Sequence, residues 1–109
     1  MRAKWRAAID AYLRERESLR GVVLIMDARH PLKDFDRQML GYCAEVELSC
    51  HILLTKSDKL SRSEGMRTLA AVRAECKRAD WNATAQLFSA QAKTGLDEAR
   101  AAISALLGA

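Results

Sequence analysis

Between His51 and Glu64 the chain reads HILLTKSDKLSRSE. The apolar run His51-Ile52-Leu53-Leu54 suits a strand and stops at Thr55. A polar loop from Ser57 to Ser61 follows. The Ser61-x-x-Glu64 spacing is that of a capping box, in which each side chain satisfies a backbone N–H that the first helical turn leaves open. The spacing therefore predicts a helix from about Ser63 to Ala79, with Met66, Leu69, Val72 and Cys76 inward. Strand, polar loop and capped helix in that order form the start of a βαβ unit.

The flanks repeat the pattern. Upstream, Val22-Val23-Leu24-Ile25-Met26 has the continuous apolar, β-branched character of a strand buried on both faces, and it stops at Asp27. His30-Pro31 makes a turn, since the proline disfavours helix at the residue before it. From about Asp34 a helical stripe of Phe35, Met39, Tyr42, Cys43 and Val46 begins. Ahead of these, Trp5, Ile9, Tyr12 and Leu13 predict an amphipathic helix over about 3–19, broken by Gly21. Downstream, Ala85-Gln86-Leu87-Phe88 reads as a weaker strand. Leu96, Ala99, Ile103 and Leu106 mark a closing helix, with Gly108 beyond its end.

Helices and strands thus alternate at the spacing of parallel βαβ units with right-handed crossovers. The expected fold is α/β, a three-layer αβα arrangement around a parallel sheet of about three strands, with four helices. Each strand runs into polar residues: Asp27-Ala28-Arg29, Thr55-Lys56-Ser57-Asp58 and Ser89-Ala90-Gln91. In open α/β sheets ligands bind at the carboxyl ends of strands, so these three clusters should share one edge. A strand as apolar as Val22–Met26 calls for neighbours on both sides. At a sheet edge it would present unpaired backbone groups, so the chain looks incomplete for its own architecture.

Composition narrows the class. A chain of 109 residues, half of them apolar, is one globular domain's worth. No apolar run approaches a membrane span, and the charged N-terminus has no apolar signal core. Cys43, Cys50 and Cys76 lack the paired spacing of a disulfide framework or a zinc site and read as buried small residues in a reducing cytoplasm. His30 has no acidic or thiol partner at ligand spacing. The net charge of +4 is mild. Arg2, Lys4, Arg6, Arg14, Arg16 and Arg20 could attract RNA, but Asp10, Glu15 and Glu17 are interleaved with them, as on an ordinary solvated helix face.

Lys56 and Asp58 carry the most chemistry. In an extended strand end, alternate side chains point the same way, which would let the two act together. A carboxylate accepts two parallel hydrogen bonds, matching the ring N–H and exocyclic amine of guanine, a pair that adenine lacks. The aliphatic stem of Lys56 can lie along a planar base. Ser89 and Ala90 would contribute mainly through backbone atoms, such as an N–H to the guanine oxygen. Thr55 would support the loop by hydrogen bonding, and Asp27 with Arg29 would form a structural turn. The alternative is a charged strand-to-helix loop with no ligand.

Thr55-Lys56-Ser57-Asp58 matches the [NT]KxD guanine-specificity motif of P-loop GTPases, and Phe88-Ser89-Ala90 followed by Lys93-Thr94-Gly95 resembles their later SA-type loop. Four further blocks narrow the match: Trp5…Tyr12-Leu13…Arg16…Leu19, Met26-Asp27-Ala28-Arg29-His30-Pro31-Leu32, Asp36-x-Gln38-Met39, and Leu54 to Ser61. In that order they resemble the EngB (YihA/YsxC) family of ribosome-biogenesis GTPases, from about Lys4 to Leu107.

The resemblance implies a partial Ras-like P-loop GTPase domain, residues 1–109 forming its C-terminal half. It names Thr55, Lys56, Ser57, Asp58, Phe88, Ser89 and Ala90 as guanine-binding residues. It implies GTP or GDP as ligand, the large ribosomal subunit or rRNA as partner, and a cytoplasmic role in ribosome assembly and normal division-septum formation. The family's GxxxxGK[ST] phosphate loop, switch threonine and DxPG segment have no counterpart in these residues, nor do its first three strands and its Mg2+ ligands. Ser57 stands where the family often has alanine, and Ala92 where lysine is common. The expectation is weak or no nucleotide binding and no GTP hydrolysis by this chain alone. Its partner would be the missing N-terminal half, or another copy meeting the Val22–Met26 edge. The runner-up reading is a non-catalytic α/β interaction module.

Overall fold

A computed structural model describes residues 3–14 and 21–106. The elements run α1 (Ala3–Arg14), β1 (Gly21–Asp27), α2 (Asp34–Glu45), β2 (Ser49–Thr55), a short 3-10 turn (Ser57–Lys59), α3 (Arg62–Arg78), β3 (Ala83–Leu87) and α4 (Leu96–Leu106). The expected order is therefore observed. The remainder of the first helix's predicted span, the side chains of Trp5, Ile9, Tyr12 and Leu13, and Gly108 lie outside the described residues.

The sheet has the order β1-β2-β3, and both pairings are parallel. Register sets Ile25 beside Leu53 and Leu53 beside Gln86, while Asp27 ends level with Thr55. One face carries Met26, Ile52, Leu54 and Ala85, which join Leu40 of α2 and Leu69, Val72 and Cys76 of α3 in a single core. The α4 helix covers the opposite face against β1 and β2. Gly21 admits it closely, since a Cβ there would lie 2.6 Å from Leu106 Cδ2. The three layers αβα are thus present.

Local chemistry explains the helix starts. Ser61 Oγ accepts from Glu64 N at 3.1 Å, and Glu64 Oε1 accepts from Ser61 N at 2.9 Å, the capping box expected from the spacing. Asp36 Oδ2 accepts from Lys33 N at 3.0 Å at the start of α2. Glu75 of α3 pairs with Arg37 of α2 at 2.6 Å and with Arg78. The α1 helix is tied to α2: Arg6 pairs with Glu45 and lies over the Tyr42 ring, and the Tyr42 hydroxyl donates to Asp10 Oδ1 at 3.0 Å.

Inward assignments on four elements need correction. Val22–Met26 is not buried on both faces: β1 is an edge strand, with Ile25 64% and Val23 36% exposed. On α3 the buried stripe runs Gly65, Leu69, Val72, Cys76, which leaves Met66 54% exposed, one residue and about 100° of helical turn away. Phe35 and Val46 on α2 and Ile103 on α4 are also exposed, because the buried positions there are Leu40, Tyr42, Cys43 and Ala99. The cysteines are free and buried as expected, and the hydrogen bond with the Cys43 thiol, followed by burial, pushes the Cys50 thiol up.

The outer edge of β3 is partly closed. Arg73 of α3 donates to Ala85 O at 3.0 Å. Among the described residues no helix is long and apolar enough to cross a membrane.

Candidate functional site

The carboxyl ends of all three strands meet at one edge. Ala28 N donates to Thr55 O at 2.8 Å, and Thr55 Oγ1 donates to Met26 O at 3.0 Å, so the threonine fastens the end of β2 to that of β1. Phe88 N donates to Leu54 O at 2.9 Å, and Ser57 N donates to Phe88 O at 3.2 Å, continuing the join from β2 to β3. The supporting role expected of Thr55 is the one it fills.

The backbone at Lys56 is not extended. Lys56 has φ 57° and ψ 33°, the left-handed region, and Ser57–Lys59 form a single 3-10 turn closed by Leu60 N on Ser57 O at 3.1 Å. Alternation along a strand therefore does not aim Lys56 and Asp58. A left-handed residue followed by a tight turn does, at a backbone cost that non-glycine residues rarely bear.

That turn delivers Asp58 to the loop after β3. Ser89 Oγ donates to Asp58 Oδ1 at 2.7 Å and accepts from Ala92 N at 3.0 Å. Ser89 is buried, while the Asp58 side chain keeps 21% of its surface exposed. The Ser89 hydroxyl, followed by nearby Lys59 and Arg29, holds the Asp58 carboxyl below the usual carboxylate range, so it is an ionised acceptor at neutral pH. Lys59 Nζ stands 3.9 Å from Asp58 Oδ2, leaving that oxygen loosely held. Ser89 thus makes this contact through its side chain, where a mainly backbone role was expected. Lys56 and Ala90 are exposed beside the pair, Ser57 is half-buried, and Phe88 contributes the backbone join already described.

The loop itself is closed at its base. Ser89 N donates to Thr94 O at 3.0 Å and Thr94 N to Ser89 O at 2.9 Å. Gly95 has φ +79°, and a Cβ there would lie 2.3 Å from Leu87 O. Below it, Gln86 is fully buried and bonded to Gly95 O and to His51. Sequence reasoning missed Gln86, His51 and the closing role of Thr94. The available signal was a glutamine and a histidine inside apolar strands.

Asp27 and Arg29 form the self-contained turn expected of them. Arg29 N donates to Asp27 Oδ1 at 2.9 Å, and the guanidinium reaches Oδ2 at 2.8 Å. That contact drives the Asp27 carboxyl well below its ordinary value. A groove of about 860 Å³ lies elsewhere, along the amino-terminal half of β3, with Arg73, Trp81 and Ala101 in its walls. It sits at the wrong end of the strands for the ligand edge of an open α/β sheet.

The chain is 51% identical to the probable GTP-binding protein EngB of Stenotrophomonas maltophilia, over 99% of this chain and 54% of that protein. It is equally 51% identical to the protein of the same name from Xanthomonas euvesicatoria, over 99% of this chain and 53% of that one. The resemblance to EngB is borne out. The chain spans about half the length of these EngB proteins. No family model matches the chain. Among solved structures, translation elongation factor SelB from Methanococcus maripaludis in its apo form superposes with a TM-score of 0.75 at 18% identity, over 94% of this chain and 23% of SelB. SelB in complex with the GTP analogue GppNHp gives 0.74 at 19%, again over 94% of this chain and 23% of that one. At that identity the likeness to SelB is one of α/β fold alone.

Proposed function

We propose that this chain is the guanine-reading, C-terminal half of an EngB-type GTP-binding domain. Asp58 accepts the ring N–H and exocyclic amine of the base, Lys56 lays its stem along the ring, and the Ala90 backbone N–H meets the guanine oxygen. The single observation that carries the reading is the 2.7 Å bond from Ser89 to Asp58, which brings both recognition loops to one point. The EngB names of the relatives and the GTP-analogue complex of a structural neighbour support the same ligand, GTP or GDP.

Phosphoryl transfer rests on positioning and on neutralising phosphate charge with a phosphate loop, its lysine and magnesium. On this reading those parts belong to the other half of the domain, so the chain alone reads the base and does not hydrolyse GTP. The described residues hold no group of three or more His, Cys, Asp or Glu side chains suited to a metal ion, and no step here is assigned to Mg2+. The wider protein acts in the cytoplasm, in assembly of the large ribosomal subunit with that subunit or its rRNA as partner, and in normal septum formation.

Titration of a fluorescent GDP with this chain, with and without the N-terminal half of a relative in trans, tests the reading. Binding should appear or strengthen when that half is added, and should be lost in Asp58→Ala. Equal affinity for ADP, or no effect of Asp58→Ala, would overturn it. A second reading, an interaction module, draws on the open β1 edge with Ile25 64% exposed. It predicts self-association, or association with the other half, without any nucleotide.

A further inference from the structure

We propose that His51 and Gln86 are positioning residues: together they clamp the base of the 88–94 loop and so set the Ser89–Asp58 contact. This rests on the guanine reading for its purpose, but the clamp itself stands on geometry.

Both side chains lie between the sheet and α4, His51 at 3% and Gln86 at 0% exposure. Polar groups so buried are costly unless every hydrogen-bonding position is used. Here they are used. Gln86 Nε2 donates to Gly95 O at 2.9 Å and to Leu87 O at 3.1 Å. Both amide hydrogens are then spent on carbonyls, so Gln86 Oε1 can only accept. Its partner is His51 Nε2 at 2.7 Å, which must therefore carry a proton. His51 Nδ1 meets Thr84 Oγ1 at 2.6 Å. The order Thr84, His51, Gln86 is a short relay across β2 and β3 that ends on the loop.

The two carbonyls that Gln86 holds are those just outside the loop on either side. Leu87 precedes Phe88-Ser89, and Gly95 follows Thr94. One amide thus draws the two legs together, and the paired Ser89–Thr94 backbone bonds close directly above it. Gly95 is what lets the legs approach, because a Cβ there would stand 2.6 Å from Gln86 Nε2. Ser89, fixed at the first rung, is the residue whose hydroxyl reaches Asp58. A leucine at 86 would fill the same volume and hold neither carbonyl. A glutamate would turn carboxylate oxygens toward both of them.

The test uses the whole chain without nucleotide and reads two local signals by NMR: exchange protection of the Ser89 and Thr94 amides, and the titration midpoint of the Asp58 carboxyl. In Gln86→Leu the two amides should exchange about tenfold faster or more, and the Asp58 midpoint should rise toward the ordinary carboxylate value, while β1–β2 amides keep their protection. His51→Leu, which strands Gln86 Oε1, should shift both signals the same way. His51→Gln, which restores a donor, should recover them. If Gln86→Leu fails to fold, the two His51 variants decide by the same signals. Unchanged Ser89, Thr94 and Asp58 signals in a folded Gln86→Leu or His51→Leu chain overturn the clamp. Fluorescent GDP binding is scored separately: a clamp present without binding in the reconstituted pair sinks the guanine reading and leaves the clamp standing.

Discussion

Ser89 Oγ donates to Asp58 Oδ1 across 2.7 Å, joining two loops that lie 31 residues apart in the chain. The bond does two things at once. It orients the carboxylate, and it keeps that carboxylate charged where a base with two N–H donors would need it.

Ser89→Ala should therefore raise the Asp58 titration midpoint. The folded-state value of Asp58 is depressed, so its contribution to stability is present above the ordinary carboxylate value and lost as the pH falls. The variant should show a flatter acid limb in stability against pH. In the reconstituted domain its GDP affinity should fall about three- to tenfold, as expected for one hydrogen bond to a charged group. An unchanged Asp58 midpoint would refute the link between the two loops.

Gly95→Ala tests the close approach at the loop base. At φ +79° an alanine is strained, and its Cβ would sit 2.3 Å from a backbone carbonyl that cannot swing aside. The substitution should cost at least about 1–2 kcal/mol in urea denaturation. Gly41 has open space around it, so Gly41→Ala in the middle of α2 should be neutral to stabilising by up to about 1 kcal/mol.

Acid should loosen the join between α2 and α3. Glu75, bonded to Arg78 and Arg37, is held down to about 2 from an ordinary 4.5. A depressed carboxylate stabilises above its unfolded value and stops doing so as the pH drops toward its folded one. The melting-temperature difference between the parent chain and Glu75→Gln should thus be full above pH 4.5 and fade toward pH 2. A difference that is the same at both ends would contradict this account.

Core and rim should separate clearly in mutagenesis. Leu54 is completely buried in the central strand, so Leu54→Ala should cost about 2–5 kcal/mol. Met66, assigned inward by periodicity but 54% exposed, should tolerate alanine within about 0.5 kcal/mol.

Element order, parallel topology and the shared carboxyl edge were legible because each rests on a local signal: apolar runs, a capping box, a proline turn. Inward stripes were less so. Helical periodicity fixes spacing but not phase, and Gly65 carries no side chain to announce that the α3 stripe begins one residue before Met66. An exposed edge at Val22–Met26 was legible, but burial of both its faces was misjudged, because an apolar run does not tell which face stays uncovered, here that of Val23 and Ile25. The residues of the candidate site were legible as a motif, yet the mechanism that aims them was not. A left-handed Lys56 leaves no mark in composition, and the Ser89 hydroxyl matters only because a crossover helix returns β3 to the side of β2.

The sheet's two borders are unequal. Arg73 occupies one carbonyl on the β3 side, whereas no strand pairs with the outer side of β1 among the described residues. Both borders lack a paired strand, and the β3 border differs by the one carbonyl that Arg73 takes out of any further ladder. Two such chains that met β1 to β1 would cover that border in both, each still carrying its partly closed β3 border. A segment that pairs with β1 would compete with such a second chain for the same seven residues of the strand.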